Sequence, residues 1–230
     1  MAKRMLSGIA GLDELLGGGF PEDSLVMVSG GTGTGKTTLA MEFLCKGATK
    51  FNEPGVLISL EQDSGRIIRS ATQFGWDLQE LIDEKMLVIV SPSVYKFEAL
   101  EEIVVSAVKK VGARRLVIDS YSIVSTFFDK PEDSRRGLLL FSRKIQQLNC
   151  VSLVISDVPE GQKAFSMTGF EEFVADGVLS LELLSDTSRN VFSRAIFVRK
   201  MRHTEHSLKR VPFKITSKGV IVYPDEVVFE

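Results

Sequence analysis

A chain of 230 residues, a quarter of them charged and with acids and bases nearly balanced at net −2, can bury the core of one α/β domain. That balance argues against a surface built mainly to hold nucleic acid, and no apolar run approaches the length of a membrane span. With no leader-like segment ahead of Ser7 and no metal-ligand spacing around Cys45 and Cys150, a cytoplasmic protein with two buried, reduced thiols is expected.

Residues 1–4 read as a short basic tip, frayed. Residues 7–16 predict one small amphipathic helix, closed by Gly17-Gly18-Gly19 as a flexible helix end, because no strand precedes these glycines and no helix follows. Ser24-Leu25-Val26-Met27-Val28-Ser29 then predict an apolar strand, a glycine-rich loop, and a helix opening on Lys36 and Thr37. Gly30 and Gly35 bracket four residues and Lys36-Thr37 follow, which completes the G-x-x-x-x-G-K-[ST] pattern. The backbone N–H groups of such a loop turn into one concavity, backed by the positive end of the helix dipole, and that arrangement suits a polyphosphate. The candidate phosphate-holding residues are Gly31, Thr32, Gly33, Thr34, Gly35, Lys36, Thr37 and Thr38. Lys36 would reach the β- and γ-phosphates, and the Thr37 hydroxyl would bind Mg²⁺.

The helix after the loop is expected to run to residue 50, with a turn over 52–55. Residues 56–60 predict a parallel strand covered on both faces, with Glu61 emerging on the same sheet edge as the loop. Helices over 64–74 and up to 83 flank a Phe74-Gly75-Trp76 corner, and 86–90 is a further strand. Residues 97–111 form an amphipathic helix with Leu100, Ile103, Val104, Ala107, Val108 and Val111 on one face. The apolar run 115–120 delivers Asp119 at a strand end, as a Walker B strand does beside the Mg²⁺ of a nucleotide. Pro131 precedes a helix expected to run to residue 149, and a strand over 151–156 follows, then a loop over 158–172 of the length that is usually functional or mobile. Strands over 177–184, 191–199, 211–215 and 220–223, with short turns at 185–190 and 217–219, put antiparallel strands at one edge of a parallel α/β core. With no repeat, low-complexity tract or linker, one domain over residues 1–230 is expected.

Four stretches make the chain resemble the KaiC-like ATPases of the RecA superfamily. They are residues 7–18, the Ser29 to Thr37 loop, Phe74-Gly75-Trp76-Asp77, and Lys200-Met201-Arg202 followed by Thr204 and His206. The resemblance implies a RecA-like P-loop NTPase core, a ring, usually a hexamer, and ATP held between adjacent subunits. It makes Glu61 the general base that orients and deprotonates the attacking water. Where the family commonly has two adjacent glutamates, this chain has Glu61-Gln62, and Gln62 cannot take a proton. Lys200 and Arg202, two apart at a strand end, read from spacing alone as a solvated basic edge. The resemblance makes them fingers for the γ-phosphate of a neighbour's ATP, with Met201, Thr204 and His206 near the same nucleotide. His203 stands where the family has Gly, and Ser217 after Thr216 departs from the family's Asp in a region that contacts adenine. The Phe74 neighbourhood is placed close to nucleotide by the resemblance, although Phe74 and Trp76 also read as core aromatics.

Slow ATP turnover that controls a protein partner is the function expected. A DNA recombination or repair accessory ATPase is the alternative, but the 158–172 loop offers only Lys163 against Glu160, Glu171 and Glu172, and no DNA-binding module precedes Ser7. A non-hydrolysing ATP-dependent scaffold is the third class. His203 and His206, without a carboxylate or thiolate cluster, make a poor metal site, so Mg²⁺ is the one metal expected.

Overall fold

The computed structural model describes residues 3–94, 96–159, 164–186 and 191–228. The elements run β1 (Arg4–Met5), α1 (Leu12–Leu15), β2 (Phe20–Pro21), β3 (Leu25–Gly30), α2 (Lys36–Phe51) and β4 (Gly55–Ser59). Then come α3 (Ser64–Ala71), α4 (Leu78–Asp83), β5 (Leu87–Val90), α5 (Phe97–Val111), β6 (Arg115–Asp119), α6 (Pro131–Gln146) and β7 (Val151–Asp157). The last are α7 (Glu171–Val174), β8 (Gly177–Asp186), β9 (Val191–Met201), β10 (Val211–Thr216) and β11 (Gly219–Val222).

Nine strands form one sheet in the order β11-β10-β9-β8-β3-β7-β6-β4-β5. The six strands from β8 to β5 are parallel, and β9, β10 and β11 turn antiparallel, so the expected parallel core with an antiparallel C-terminal edge is what forms. The continuous apolar runs have their cause in two cores, one per sheet face. Val26 and Val28 of β3, Leu57 of β4, Val117 of β6 and Leu153 of β7 pack on Leu39 and Phe43 of α2 and on α3 and α4. Their neighbours Leu25, Met27, Val56, Ile58, Leu116 and Ile118 pack instead on Leu100 and Val104 of α5 and on Leu138 and Phe141 of α6. Period-two alternation with both faces covered reads in sequence as unbroken hydrophobicity.

The N-terminal expectations need correction. The helix expected over 7–16 is only Leu12–Leu15, because Gly8 and Gly11 adopt φ of +80° and +77° and break the helical path. The preceding strap is ordered by other means: Ala10 bridges Ile221, and Ser7 N–H donates to Asp13 Oδ1 at 2.8 Å. Of the tip expected to fray, Arg4 opens a strand, Arg4–Met5 pairing with Phe20–Pro21, and the Lys3 carbonyl accepts from Glu22 N–H at 3.1 Å. Gly17, Gly18 and Gly19 are a packed turn at φ +64°, +105° and +107° rather than a flexible end. A Cβ on Gly17 would lie 2.6 Å from the Glu205 carbonyl oxygen.

The loop over 158–172 is tied down where it is described. Ser29 Oγ donates to the Phe165 carbonyl, the Arg199 guanidinium lies 3.3 Å from the centre of the Phe165 ring, and α7 starts inside the expected loop. Glu160 and Lys163, and the turn residues 187–190, lie outside the described residues.

Candidate functional site at the carboxyl edge of the sheet

β3 ends at Gly30 and α2 opens at Lys36, so the glycine loop spans the carboxyl end of the central strand. Gly35 precedes the helix at φ +103°, a conformation that favours glycine, and a Cβ there would also meet the terminal methyl of Ile215 at 2.7 Å. No side chain caps the start of this 16-residue helix, which leaves its first amides facing the loop concavity. Thr34 Oγ1 donates to the Gly31 carbonyl at 2.9 Å and holds the turn closed, while Thr32 and Gly33 form an exposed tip. Thr38 is half-buried on the first turn of α2 beside Thr37.

Lys36 is buried and its ammonium turns back on the loop. It donates to the carbonyls of Gly30 at 3.0 Å and Gly31 at 2.9 Å and pairs with Asp157 Oδ1 at 3.0 Å. Thr37 Oγ1 donates to Asp119 Oδ2 at 2.8 Å, so the two expected metal ligands meet across the α2–β6 contact. Asp119 is buried, and burial pushes its carboxyl up to about 6. The Thr37 hydrogen bond opposes that rise, and the charges of Glu61 and Asp157 add to it. Glu61 stands two residues beyond β4, exposed, on the same edge. The backbone around it is fixed: Leu60 N–H donates to the Asp119 carbonyl at 2.6 Å, and the Gln62 carbonyl accepts from Ser59 and Ser91.

Lys200, Met201, Arg202, Thr204 and His206 are not brought to this loop within the chain. Gly177 of β8 pairs with both Val26 and Met201, whereas Gly30 pairs with Leu181. Met201 therefore sits four residues down the sheet from the loop, roughly 13 Å away at strand rise. Lys200 and Arg202 do point the same way. Lys200 Nζ donates to the carbonyls of Glu172 at 3.0 Å and Ala175 at 2.6 Å, and Arg202 donates to the Phe173 carbonyl and to Asp176 Oδ1. Burial, then the Arg202 charge, lowers the Lys200 pKa. The Met201 side chain is buried on Gly177. Thr204 Oγ1 accepts from Arg4, and His206 Nδ1 lies 3.1 Å from the Ser207 carbonyl. His203 adopts φ +55°, the conformation in which glycine is at ease. Phe74 and Trp76 stack at 4.7 Å, with Trp76 in the core. Thr216 closes the β10–β11 turn on the Gly219 carbonyl.

Two residues that touch the loop have no place in the sequence expectations. Asp157 ends the apolar run of β7 just as Asp119 ends that of β6, a signal of the same kind that was present and unused. Arg194 reaches the Gly33 carbonyl at 3.2 Å from β9, a strand far from the loop in sequence, and no local pattern marks it.

An α/β sheet with a glycine loop, lysine, threonine and carboxylate at the carboxyl end of its central strands defines a P-loop nucleotide-binding protein of RecA type. Comparison with known proteins narrows this class. The model of a family described as ATPase: KaiC matches residues 5–227, and the chain belongs to that family. A UPF0273 protein of Methanocaldococcus jannaschii is 37% identical over 98% of both chains. The circadian clock oscillator protein KaiC of Parathermosynechococcus lividus is 33% identical over 95% of this chain but only 42% of its own length. Among solved structures, a KaiC-like protein from Pyrococcus horikoshii superposes with a TM-score of 0.89 at 37% identity, covering 97% of this chain and 100% of the other.

Proposed function

We propose that this chain binds ATP with Mg²⁺ and hydrolyses it slowly to ADP and phosphate, in a ring where each site is completed by the next copy. The observation that carries the reading is the division of the expected site between the two ends of one sheet. The loop, Lys36, Thr37, Asp119 and Glu61 share the carboxyl edge, and Lys200 and Arg202 stand too far down the sheet to serve it. Cations so placed can meet a triphosphate only across an interface, and a ring, a hexamer by the family's habit, repeats that interface without leaving an open end.

The residues fit a divalent metal. Asp119 is a buried carboxylate whose ionisation burial opposes, and with the Thr37 hydroxyl it offers the hard oxygen donors that suit Mg²⁺. A bound Mg²⁺ would neutralise phosphate charge there. Main-chain amides of the loop and of the first turn of α2 would hold the phosphates. Glu61, exposed at the same edge, would take the proton of the attacking water, and Arg202 and Lys200 of the next copy would stabilise the charge that develops. With a single carboxylate at residues 61–62, turnover is slow, and the bound nucleotide lasts long enough for a protein partner to read the state of the ring.

The test is turnover together with molar mass. Light scattering is expected to show assembly in the presence of Mg·ATP. Glu61→Gln is expected to keep ATP binding and lower turnover by roughly 10²–10⁴. An unchanged rate removes Glu61 from the chemistry, and a monomer turning over at full speed overturns the shared site.

A further inference from the structure

We infer that Asp157 is a positioning residue of the nucleotide site, holding Lys36 in a retracted state that incoming phosphates must displace. The inference rests on the ATP-site reading above. An ammonium has three N–H donors. Lys36 uses all three, on the carbonyls of Gly30 and Gly31 and on Asp157 Oδ1, and its side chain is only 9% exposed. In this form no donor is left for a β- or γ-phosphate, so at least one acceptor must be given up when a nucleotide enters.

Asp157 is the acceptor that decides the competition, for two reasons. It carries a full charge, whereas the two carbonyls are neutral parts of the loop that wraps the ligand. Its backbone cannot follow the lysine outward. Asp157 is paired with Gly30 in the β3–β7 ladder, its N–H donates to Ser122 Oγ at 2.9 Å, and Val158 N–H donates to the Gly30 carbonyl at 3.1 Å. Polyphosphate and Asp157 therefore compete for one ammonium, with the carboxylate fixed. Once Lys36 has moved, the carboxylate is left facing anionic phosphates beside Asp119, which favours release. Asp157 thus weakens binding of every phosphate ligand that needs Lys36 and balances the ammonium charge while the loop is empty.

Asp157→Asn keeps the shape and one acceptor while removing the charge. Calorimetric titration of wild type and variant with Mg·ADP is expected to show the variant binding about tenfold more tightly. Melting of the nucleotide-free protein supplies a second measurement. Asp157→Asn and Lys36→Met are each expected to lower the midpoint, and the double variant is expected to melt no lower than the worse single one. Losses that simply add, or a folded variant that binds Mg·ADP no more tightly than wild type, overturn the inference and leave the ATP-site reading standing. Wild type that binds no Mg·ADP overturns both.

Discussion

The two ends of the sheet each bury a cation, and the two differ in what holds them. At the amino end of β6, Arg115 is fully buried and its five N–H groups are all used, on Glu53 Oε2 and on the carbonyls of Leu6, Ser7 and Phe43. Its guanidinium lies over the Phe43 and Phe51 rings, and it fills the space that a Cβ on Gly47 would need. Its acceptors belong to α2, to the turn between α2 and β4, and to the N-terminal strap. At the carboxyl end, Lys36 is as fully bonded, but its acceptors are the last residue of β3, the first residue of the glycine loop and a strand-end carboxylate, all beside the start of α2. Saturation alone does not separate a structural cation from a functional one. What separates them is whether a ligand can replace the acceptors without unfolding the chain.

The largest effect expected comes from removing the cations of the proposed shared site, one from each end of the sheet. Arg202→Ala is expected to lower turnover by about 10³ or more, in line with finger residues elsewhere. Lys36→Ala is expected to abolish ATP binding, and retained submicromolar binding would mean the loop is misread. Mixed together, the two variants should recover part of the activity, because some interfaces combine an intact loop with an intact Arg202. A mixture as inactive as its parents, despite demonstrated subunit exchange, would place Arg202 outside the chemistry.

Arg115→Met breaks the comparison from the other side. It leaves Glu53 and three carbonyls without their partner, and loss of about 3–5 kcal/mol is expected in denaturant unfolding. Turnover per folded molecule should not change at saturating ATP. A large loss of turnover without a loss of stability would make Arg115 part of the site.

Asp119→Asn shifts the balance within the carboxyl edge. The folded carboxyl titrates at about 6, above its ordinary 3.8, so the folded state binds the extra proton between those values. The stability contributed by that proton is present at low pH and is lost as pH rises through about 6. In chelator at pH 7.5 the Asn variant should be more stable than wild type by up to about 3 kcal/mol, and near pH 4 the difference should vanish. Mg²⁺-dependent nucleotide binding should be weakened in the same variant. Equal melting at both pH values would mean that the buried charge costs nothing.

What the sequence disclosed follows from how local each feature is. The strand–loop–helix around Lys36 is contiguous, so pattern and structure agree to within a residue, and helix Phe97–Val111 agrees at both ends. The Thr37–Asp119 pairing was legible because Asp119 ends β6 on the carboxyl edge of the parallel sheet, the edge at which the loop after β3 opens α2 at Lys36 and Thr37. The N-terminal strap was not, because Gly8 and Gly11 act through backbone conformation while the side chains around them keep a helical period. Arg115 shows in sequence only as the start of an apolar strand, since its partners lie at residues 6, 7, 43 and 53, and nothing local announces that these converge.

The smallest effect falls on His203, immediately after the two cations at the far end of the sheet. A non-glycine residue at φ +55° bears a conformational cost of about 1–2 kcal/mol, and glycine there gives back roughly 0.4–1 kcal/mol through the entropy of its unfolded chain. His203→Gly should therefore raise stability by about 0.5 kcal/mol, a shift of a degree or two in Tm. Its effect on turnover says more. The Arg202 N–H donates to the Asp176 carbonyl at 2.9 Å and its guanidinium to Asp176 Oδ1, so Arg202 is anchored from its own chain on the strand side of the turn. If that anchor sets the finger, turnover is unchanged in His203→Gly. A fall in turnover with Tm raised would show that the stiff left-handed residue, rather than Asp176, holds Arg202 where the neighbouring site needs it.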